Sequence, residues 1–389
     1  MATKEDLRQL QALPLGDKVE RTLGLVSEWY AHWDNQCYVS FSGGKDSTVL
    51  ADIVAKWCYI AEVPLYLMFV DTGLEYPEIK KHVSDFADYL RVKYGILVYL
   101  DVIRPKMSYK EVIRKCGYPV IGKRQANCIR LARENFNAKK YSYRLASLGF
   151  SAEEALNGGF EMPSDDMILR YQQKNNGSKF SVEKYRPLLT VDFCVSDMCC
   201  DIMKKAPAKE YEKSTGRKDI TGQTAEESAI REAAWLKNGC NAFSGKHPIS
   251  NPLSFWLEQD ILSYIKANNI PISSVYGDVV YALDPEQIRM DENFCGEKLC
   301  TTRCDRTGCI FCGFGAHLEK DEGRFEKLKS THRKLWDYCI YGGGYDPEDG
   351  LWKPTNEGLG MGHVFDVLNG LYGENFIRYG REDINVGDI

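Results

Sequence analysis

The fold is decided by the stretch Cys37-Tyr38-Val39-Ser40-Phe41-Ser42-Gly43-Gly44-Lys45-Asp46-Ser47. Residues 37–41 form an apolar run of strand length, and residues 47–54 continue with the pattern of a buried helix. A backbone that wraps a pyrophosphate needs glycines for close approach, inward N–H groups and a following helix whose N-terminus favours negative charge. The stretch provides all three, so it predicts a phosphate-binding loop rather than a plain glycine turn.

The same alternation of strand and helix continues downstream. Apolar runs of strand length at 65–70 and 96–102 are separated by a helical pattern over 77–94. Alternating elements predict an α/β fold with a doubly wound, mostly parallel sheet. Ligands of such sheets bind beyond the carboxyl ends of the strands, where the Ser42 loop and Asp71-Thr72-Gly73 both fall. We expect the two loops to line one pocket.

The side chains of the glycine loop suit phosphate but not the Walker A pattern. Lys45 adds a point charge, and Ser42 and Ser47 offer hydroxyl donors. A Walker A loop would have glycine where Val39 stands and Ser or Thr where Asp46 stands. A P-loop kinase or GTPase is therefore disfavoured.

Length and composition predict a globular protein with one large domain and a smaller attached unit. The chain has 389 residues, 44% hydrophobic and 27% charged. We expect a helical segment at 1–35, a nucleotide-binding α/β domain at 36–284 with an insertion near 121–180, and a Cys-rich, irregular unit at 285–389. The polar start and the absence of a run of roughly 18 apolar residues predict a cytoplasmic location without a membrane span.

One stretch, residues 121–147, is strongly basic although the net charge of the chain is −5. Its one acidic residue is Glu134, and its basic residues are Lys123, Arg124, Arg130, Arg133, Lys139, Lys140 and Arg144. Such a run is either a solvated helix face or a contact for a phosphate-bearing or nucleic-acid substrate.

The 14 cysteines point to metal or redox chemistry in a chain of this size. The adjacent pair Cys199-Cys200 and the Cys309-x-x-Cys312 pair supply four soft ligands, as Zn²⁺ or an iron–sulfur cluster requires. Two alternatives stay open. Cys295, Cys300 and Cys304 could form a self-contained site with Cys309 and Cys312, or the cysteines could be inert.

The glycine loop resembles the SGGxDS signature of the PP-loop ATP pyrophosphatase superfamily, and the chain is similar to its phosphoadenosine phosphosulfate (PAPS) reductase-like family. Two further segments carry the resemblance, the motif at 69–78 and the later "PL…W…D…IP" segment at 252–271. The resemblance implies a PP-loop (HUP-like) fold that binds ATP with Mg²⁺ and releases pyrophosphate. The implied nucleotide-binding residues are Ser42, Gly43, Gly44, Lys45, Asp46, Ser47, Asp71, Thr72, Gly73, Gly222 and Arg231.

The cysteine pattern resembles the [4Fe-4S] site of the adenosine phosphosulfate (APS) reductases, in which a CC pair and a distant CxxC bind one cluster. The resemblance implies a cluster on Cys199, Cys200, Cys309 and Cys312. Lys204-Lys205 also resembles the lysine that this family has after the CC pair. Structural zinc is the alternative metal.

Two departures argue against an ordinary sulfonucleotide reductase. In the segment that resembles the family motif GxRxxESxxR, Gly222, Glu227, Ser228 and Arg231 match, but Thr224 replaces the first arginine. Residues 340–389 contain no cysteine, whereas the reductases have a nucleophilic cysteine in this tail.

The leading hypothesis is an adenylating enzyme that supports sulfur transfer, with Lys45, Asp46 and Cys304 as catalytic candidates. Its acceptor would be a nucleic acid or nucleotide held by residues 121–147, or a small metabolite, with a sulfur-donor protein as partner. One alternative is a PAPS or APS reductase whose thiol comes from Cys304 or a partner. The other is a regulatory protein that binds a nucleotide without turnover.

Overall fold

The computed structural model describes residues 2–168, 182–245, 248–283, 297–319 and 322–381. The chain divides into two compact units. The first consists of Met1–Pro105 and Ala206–Cys309, and the second of Lys106–Lys205 and Ile310–Ile389.

The α-helices of the described residues, in chain order, are α1 (Lys4–Gln11), α2 (Leu15–His32), α3 (Lys45–Ala61), α4 (Pro77–Tyr94), α5 (Tyr109–Cys116), α6 (Lys123–Asn137), α7 (Tyr143–Ser147), α8 (Ala152–Asn157), α9 (Ala206–Thr215), α10 (Ala229–Asn238), α11 (Glu258–Ala267), α12 (Arg324–Thr331), α13 (Arg333–Ile340) and α14 (Met361–Tyr372). Short 3₁₀ turns occur at Glu183–Leu189, Ser274–Tyr276 and Ala316–Leu318, and a π turn at Asp201–Lys205.

The strands, in chain order, are β1 (Cys37–Ser40), β2 (Leu65–Val70), β3 (Val98–Ile103), β4 (Val120–Ile121), β5 (Lys218–Ile220), β6 (Asn241–Ala242), β7 (Ile249–Ser250), β8 (Val279–Leu283), β9 (Glu297–Thr301), β10 (Gly313–Phe314), β11 (Gly343–Tyr345) and β12 (Trp352–Pro354).

The first unit is built on a parallel sheet with the strand order β3-β2-β1-β5. This confirms the predicted α/β fold with a parallel central sheet. The chain runs outward from β1 to β3 and then returns to add β5 on the other side of β1. Strand order therefore reverses between β1 and β5, and ligands of open α/β sheets bind at such a switch point. The loop after β1 lies there.

Helix α3 is held in the core of this unit by apolar contacts and by one buried acid. Val49, Ile53 and Val54 are fully buried, as expected for a helix packed on a parallel sheet. Asp52 is also fully buried, and its carboxylate accepts hydrogen bonds from Tyr264 (2.8 Å) and Lys93 (2.7 Å). These contacts fix the helix whose N-terminus follows the glycine loop.

A second buried ion pair ties the N-terminal helices to α11. The Lys18 ammonium is 1% exposed and lies 2.5 Å from Asp260. We expect Lys18→Met to lower the free energy of unfolding by about 3 kcal/mol, because it leaves a largely buried carboxylate without its cation. Urea denaturation measures this. Lys4→Met is the matched control, since its pair with Glu232 is exposed and worth less than about 1 kcal/mol. Equal losses in the two variants would contradict the expectation.

Residues 225–236 and 256–267 have the apolar spacing of helices, and both helices of the first unit begin later than this spacing predicts. The helix expected from Ala225 begins at Ala229, because Ser228 is its N-cap and accepts a hydrogen bond from the Arg231 amide. Glu227, expected on a helix face with Arg231, therefore precedes the helix, although the two side chains still form an ion pair. The helix expected from Trp256 begins at Glu258.

The second unit contains α5 to α8 and all elements from β10 onward. Strand β10 pairs in parallel with β4, and β11 and β12 form an antiparallel hairpin. Trp336 and Phe365 are fully buried between α13, α14 and their neighbours. The tail expected to be irregular thus contains three helices and a hairpin within residues 322–381.

The predicted division into residues 1–35, 36–284 and 285–389 concerns parts of the chain with separate roles and stays a prediction. Part of the predicted insertion, residues 169–181, lies outside the described residues. In the described part of the chain, no helix combines the length and apolar character that crossing a membrane demands.

Candidate functional site

The phosphate loop, residues 42–47, joins β1 to α3 and has a backbone that requires glycine. Gly43 has φ +73°, and a Cβ there would lie 2.8 Å from Val83 Cγ2 and 2.9 Å from Ile79 Cγ2. Gly44 is the N-cap of α3 and brings no capping side chain. The amides of the first turn therefore depend on partners from outside the helix, which is the arrangement that binds anions.

The two serines of the loop face each other across its backbone. Ser42 Oγ and Ser47 Oγ are 3.0 Å apart, and Ser47 also donates to the Gly44 carbonyl at 2.9 Å. The Gly44 amide donates to Ser42 Oγ at 3.3 Å. These hydrogen bonds of the hydroxyls hold the loop in shape.

Lys45 is buried at the start of α3 and lies between two carboxylates. Its ammonium is 3.3 Å from Glu258 and 3.6 Å from Asp46, and the side chain is 4% exposed. Burial raises the pKa of Asp46, Lys45 and Arg306 oppose the shift, and Glu258 adds to it. The two catalytic candidates of the loop thus belong to one small group of mixed charge.

Behind the loop, Thr48 holds a neutral histidine. Thr48 Oγ1 lies 3.0 Å from His82 Nε2, and both side chains are buried. Burial lowers the pKa of His82 to about 4, so the ring is uncharged near neutral pH. The positive charge near the loop therefore comes from lysine and arginine.

The carboxyl end of β5 packs directly on the loop through Gly222. A Cβ at Gly222 would lie 3.1 Å from the Asp46 carbonyl oxygen and 3.2 Å from Ser47 Cα. The chain then lines a cleft that encloses about 340 Å³, including space open to solvent. Its polar lining residues are Gln223, Thr224, Arg231, Asn238, Asn251 and Ser254. The structure thus brings Gly222 to the loop and Arg231 to the adjoining cleft.

The predicted second loop, Asp71-Thr72-Gly73, follows β2 at the same edge of the sheet as the phosphate loop. Asp71 accepts hydrogen bonds from Lys80 at 2.6 Å and from the Gly73 amide at 3.2 Å. Burial opposes ionisation, but these bonds outweigh it and hold the pKa of Asp71 below its usual value. Thr72 donates to Glu75 at 2.6 Å. In the described contacts, both side chains are engaged locally.

Three residues near the loop were missed by the sequence analysis: Glu258, Tyr276 and Arg306. The Tyr276 hydroxyl accepts a hydrogen bond from the Lys45 amide at 3.1 Å. Each lies more than 200 positions along the chain from Lys45, and no local pattern marks it. Only the position of Glu258 within the later "PL…W…D…IP" segment, and of Tyr276 shortly after it, could have drawn attention to them.

The structure places the two thiols of the predicted adjacent pair next to each other. Cys199 Sγ lies 3.9 Å from Cys200 Sγ in the second unit. The hydrogen bond from Cys199 lowers the pKa of Cys200, burial opposes the shift, and the charges of Lys123 and Lys204 reinforce it. Within the described residues, no three His, Cys, Asp or Glu side chains are grouped so as to hold a metal ion.

The other cysteines are divided between the units. Cys309 ends the first unit and Cys312 lies in the second, and both thiols are half-buried. Cys304 lies in the first unit, where its thiol donates to the Arg306 carbonyl at 2.7 Å. Cys295 lies outside the described residues. The predicted cluster on Cys199, Cys200, Cys309 and Cys312 stays a prediction.

Part of the basic stretch is used within the second unit. Arg130 forms an ion pair with Asp197 at 2.9 Å, and Arg133 donates to the carbonyls of Val191 and Phe193. Lys139 lies over the Phe160 ring at 4.6 Å. These three cations make contacts within the second unit, which favours a structural role for them over contact with a nucleic acid. Contact with a nucleic acid through residues 121–147 stays a prediction.

A glycine-rich loop at the switch point of a parallel sheet, with a buried lysine beside it, is an arrangement that suits the binding of phosphate groups. The model of the phosphoadenosine phosphosulfate reductase domain matches residues 36–142 and 166–313, well over half of the chain. The chain belongs to this family, and the predicted resemblance is confirmed. Membership supports a nucleotide-binding, ATP-using enzyme of the PP-loop ATP pyrophosphatase kind.

Solved structures add little to this assignment. The chain is 13% identical to NMN synthetase from Francisella tularensis, with a TM-score of 0.28 over 67% of this chain and 72% of that one. It is also 13% identical to NAD+ synthetase from Burkholderia pseudomallei, with a TM-score of 0.30 over 67% and 70%. At these TM-scores neither likeness carries an argument. Among curated proteins, none matches this chain significantly.

Proposed function

We propose that this protein binds ATP with Mg²⁺ at the phosphate loop, adenylates an acceptor with release of pyrophosphate, and supports iron–sulfur-dependent sulfur transfer to that acceptor. The observation that carries the nucleotide part is the loop backbone. Gly43 leaves no room for a side chain, and Gly222 approaches Asp46 from β5, so two strand ends and a helix N-terminus meet at one point. Such a point suits a phosphate chain.

In the proposed site, the loop amides and the hydroxyls of Ser42 and Ser47 bind the β- and γ-phosphates. Lys45 lies beside them, and phosphate would compete with Glu258 for its ammonium. Asp46 is the carboxylate at the loop, and its oxygens fit a hard cation such as Mg²⁺. Asp71, Thr72 and Gly73 would complete the pocket from the neighbouring strand.

The proposed reaction follows from binding ATP through its β- and γ-phosphates. An oxygen of the acceptor attacks the α-phosphorus, the bond to the bridging oxygen between the α- and β-phosphates breaks, and pyrophosphate leaves with the electron pair. Cations around the leaving pyrophosphate stabilise the charge that develops on it. The acceptor is left as an adenylate, whose AMP group a sulfur nucleophile can then displace.

The iron–sulfur part of the proposal rests on the donor chemistry. Cys199 and Cys200 place two thiols side by side, next to lysines that favour thiolate. Cys309 and Cys312 would supply the other two ligands. No step of the adenylation described above requires the cluster, so the two parts can be tested separately.

We expect turnover of α-labelled ATP to give labelled AMP and pyrophosphate, and Lys45→Ala to reduce the rate by about a hundredfold. The loss follows because a buried cation next to the leaving group stabilises the transition state by roughly 3 kcal/mol. The assay contains Mg²⁺, sulfide as the nucleophile that displaces AMP from the adenylate and, as acceptor, either total nucleic acid or a nucleic-acid-free metabolite fraction. The fraction that promotes AMP formation identifies the acceptor class.

Lys56→Ala is the matched control, since Lys56 is an exposed lysine on the same helix, about three turns away. We expect it to leave AMP formation unchanged. Formation of ADP instead of AMP would overturn the proposal. Tight ATP binding without turnover under both conditions would favour the regulatory alternative, and sulfite release from PAPS or APS would favour the reductase.

A further inference from the structure

The turn at residues 301–307 of the first unit carries Arg306, whose guanidinium has no role in the adenylation proposed above. Thr301 Oγ1 donates to the Cys304 carbonyl at 2.9 Å, and the Cys304 thiol donates to the Arg306 carbonyl at 2.7 Å. These bonds define the shape of the turn. Arg306 is exposed, and among the residues that the structure describes it has no ion-pair partner.

The turn is fixed against the phosphate loop by one tyrosine. The Tyr276 hydroxyl lies 2.7 Å from Thr307 Oγ1 and accepts the Lys45 amide hydrogen at 3.1 Å. A Cβ at Gly44 would lie 3.4 Å from Thr307 Oγ1, so the turn touches the loop backbone. Tyr276 is 2% exposed, so the tyrosine that joins the turn to the loop is itself buried. Arg306 is therefore one residue away from a contact with the loop.

The charge of Arg306 affects the pKa values of two residues of the site, Arg231 and Asp46. Burial is the main cause that lowers the pKa of Arg231, and repulsion from Arg306 adds to it. The same charge opposes the raised pKa of Asp46. Arg231 and Arg306 thus repel each other, although Arg231 also forms an ion pair with Glu227. An anion between the two guanidinium groups would remove the repulsion.

We propose that Arg306 and Arg231 together bind the β- and γ-phosphates of ATP, so that Arg306 supplies from the 301–307 turn the cation that is missing at Thr224. The inference rests on the proposed function. Thr224 lines the same cleft as Arg231, and the turn that carries Arg306 touches the loop next to it. A planar guanidinium matches the paired oxygens of a phosphate, which suits this role better than a lysine would.

The contact to the loop favours the outer phosphates over the acceptor. Thr307 reaches Gly44 and, through Tyr276, the Lys45 amide, and these backbone groups belong to the proposed cradle for the β- and γ-phosphates. AMP lacks both phosphates. We therefore expect Arg306→Ala to weaken ATP binding about tenfold, as loss of one charge-assisted contact implies, and to leave AMP binding unchanged.

Isothermal titration with ATP, AMP and pyrophosphate separates the outcomes. Arg303→Ala removes the same charge from the same turn, and its guanidinium donates to the Ser274 carbonyl at 3.4 Å, away from the phosphate loop, so we expect unchanged ATP binding. Arg306→Lys should lose less ATP affinity than Arg306→Ala but still some, because lysine keeps the positive charge and lacks the paired N–H donors of a guanidinium. Wild-type protein that binds no ATP would refute the proposed function itself. Wild-type ATP affinity in Arg306→Ala would refute the role of Arg306 alone.

A double variant tests whether Arg306 takes the place of the cation that is missing at Thr224. We expect Thr224→Arg to restore ATP affinity in the Arg306→Ala background, since position 224 lines the cleft beside Arg231. Melting temperatures confirm that each variant is folded. A folded double variant that binds ATP as weakly as Arg306→Ala would refute the claim that Arg306 takes the place of the cation missing at Thr224.

Discussion

We expect Gly43→Val to reduce ATP affinity by about a hundredfold or more, a loss of roughly 3 kcal/mol. The residue has φ +73°, which costs a β-branched side chain about 1–3 kcal/mol in strain. Its Cβ would also lie within 2.9 Å of methyl groups on Val83 and Ile79, so the loop or α4 must move. Either movement displaces the amides that the proposal assigns to phosphate. Titration calorimetry measures the affinity.

Gly216→Val separates backbone strain from the collision with α4. Gly216 has φ +75°, but a Cβ there meets no atom within 4 Å. We expect this variant to melt at a somewhat lower temperature and to bind ATP normally. If Gly43→Val does not fold, Gly43→Ala introduces the same Cβ with less bulk. A folded Gly43 variant with ATP affinity within about threefold of wild type would mean that the phosphates bind elsewhere.

The parts of the fold that the sequence predicted well are those set by local patterns. The apolar run at 65–70 and the helical pattern at 77–94 agree with β2 and α4. Helix α4 has Pro77 in its first turn and ends at Gly95 with φ +65°, both of which are strong local signals. The glycine loop was predictable for the same reason, since strand, loop and helix are contiguous.

Other features were decided by contacts between distant segments. The Ala225 amide donates to the Ser254 carbonyl, so the chain at 225 is held outside the helix and α10 begins only at Ala229. In the tail, the glycines at 342–344 suggested irregular structure. They instead form β11, which pairs with β12, and a Cβ at Gly343 would collide with the Trp352 ring. Neither partner is visible in a local window of sequence.

The site divides in the same way. The sequence identified Ser42 to Ser47 because their spacing is itself a motif. Tyr276 and Thr307 reach the loop only through the folded chain, and a tyrosine after a valine or a threonine after an arginine carries no signal alone. A glycine loop therefore predicts that phosphate binds, whereas the side chains around the phosphates depend on tertiary structure.

We expect anaerobically prepared protein to contain about four iron and four sulfide per chain, and Cys199→Ser to lose nearly all of both. Cys199 and Cys200 have their sulfur atoms 3.9 Å apart, and the hydrogen bond from Cys199, together with the charges of Lys123 and Lys204, lowers the pKa of Cys200 against the effect of burial and so favours its thiolate form. Serine keeps the size of the side chain but removes the soft ligand. Metal analysis and the visible absorption of the brown protein measure the loss.

Cys128→Ser is the matched control for this prediction, because Cys128 is a buried cysteine of the same unit that we assign to the core. It should keep its iron and sulfide. A Cys199→Ser variant that also keeps them would move the site to the cysteines at 295, 300 and 304. Stoichiometric zinc without iron in the wild-type protein would replace the cluster by a structural metal. Sulfur transfer would then need a different source of reactive sulfide, whereas adenylation at the phosphate loop would be unaffected, because its chemistry uses only the cations and amides around the leaving pyrophosphate.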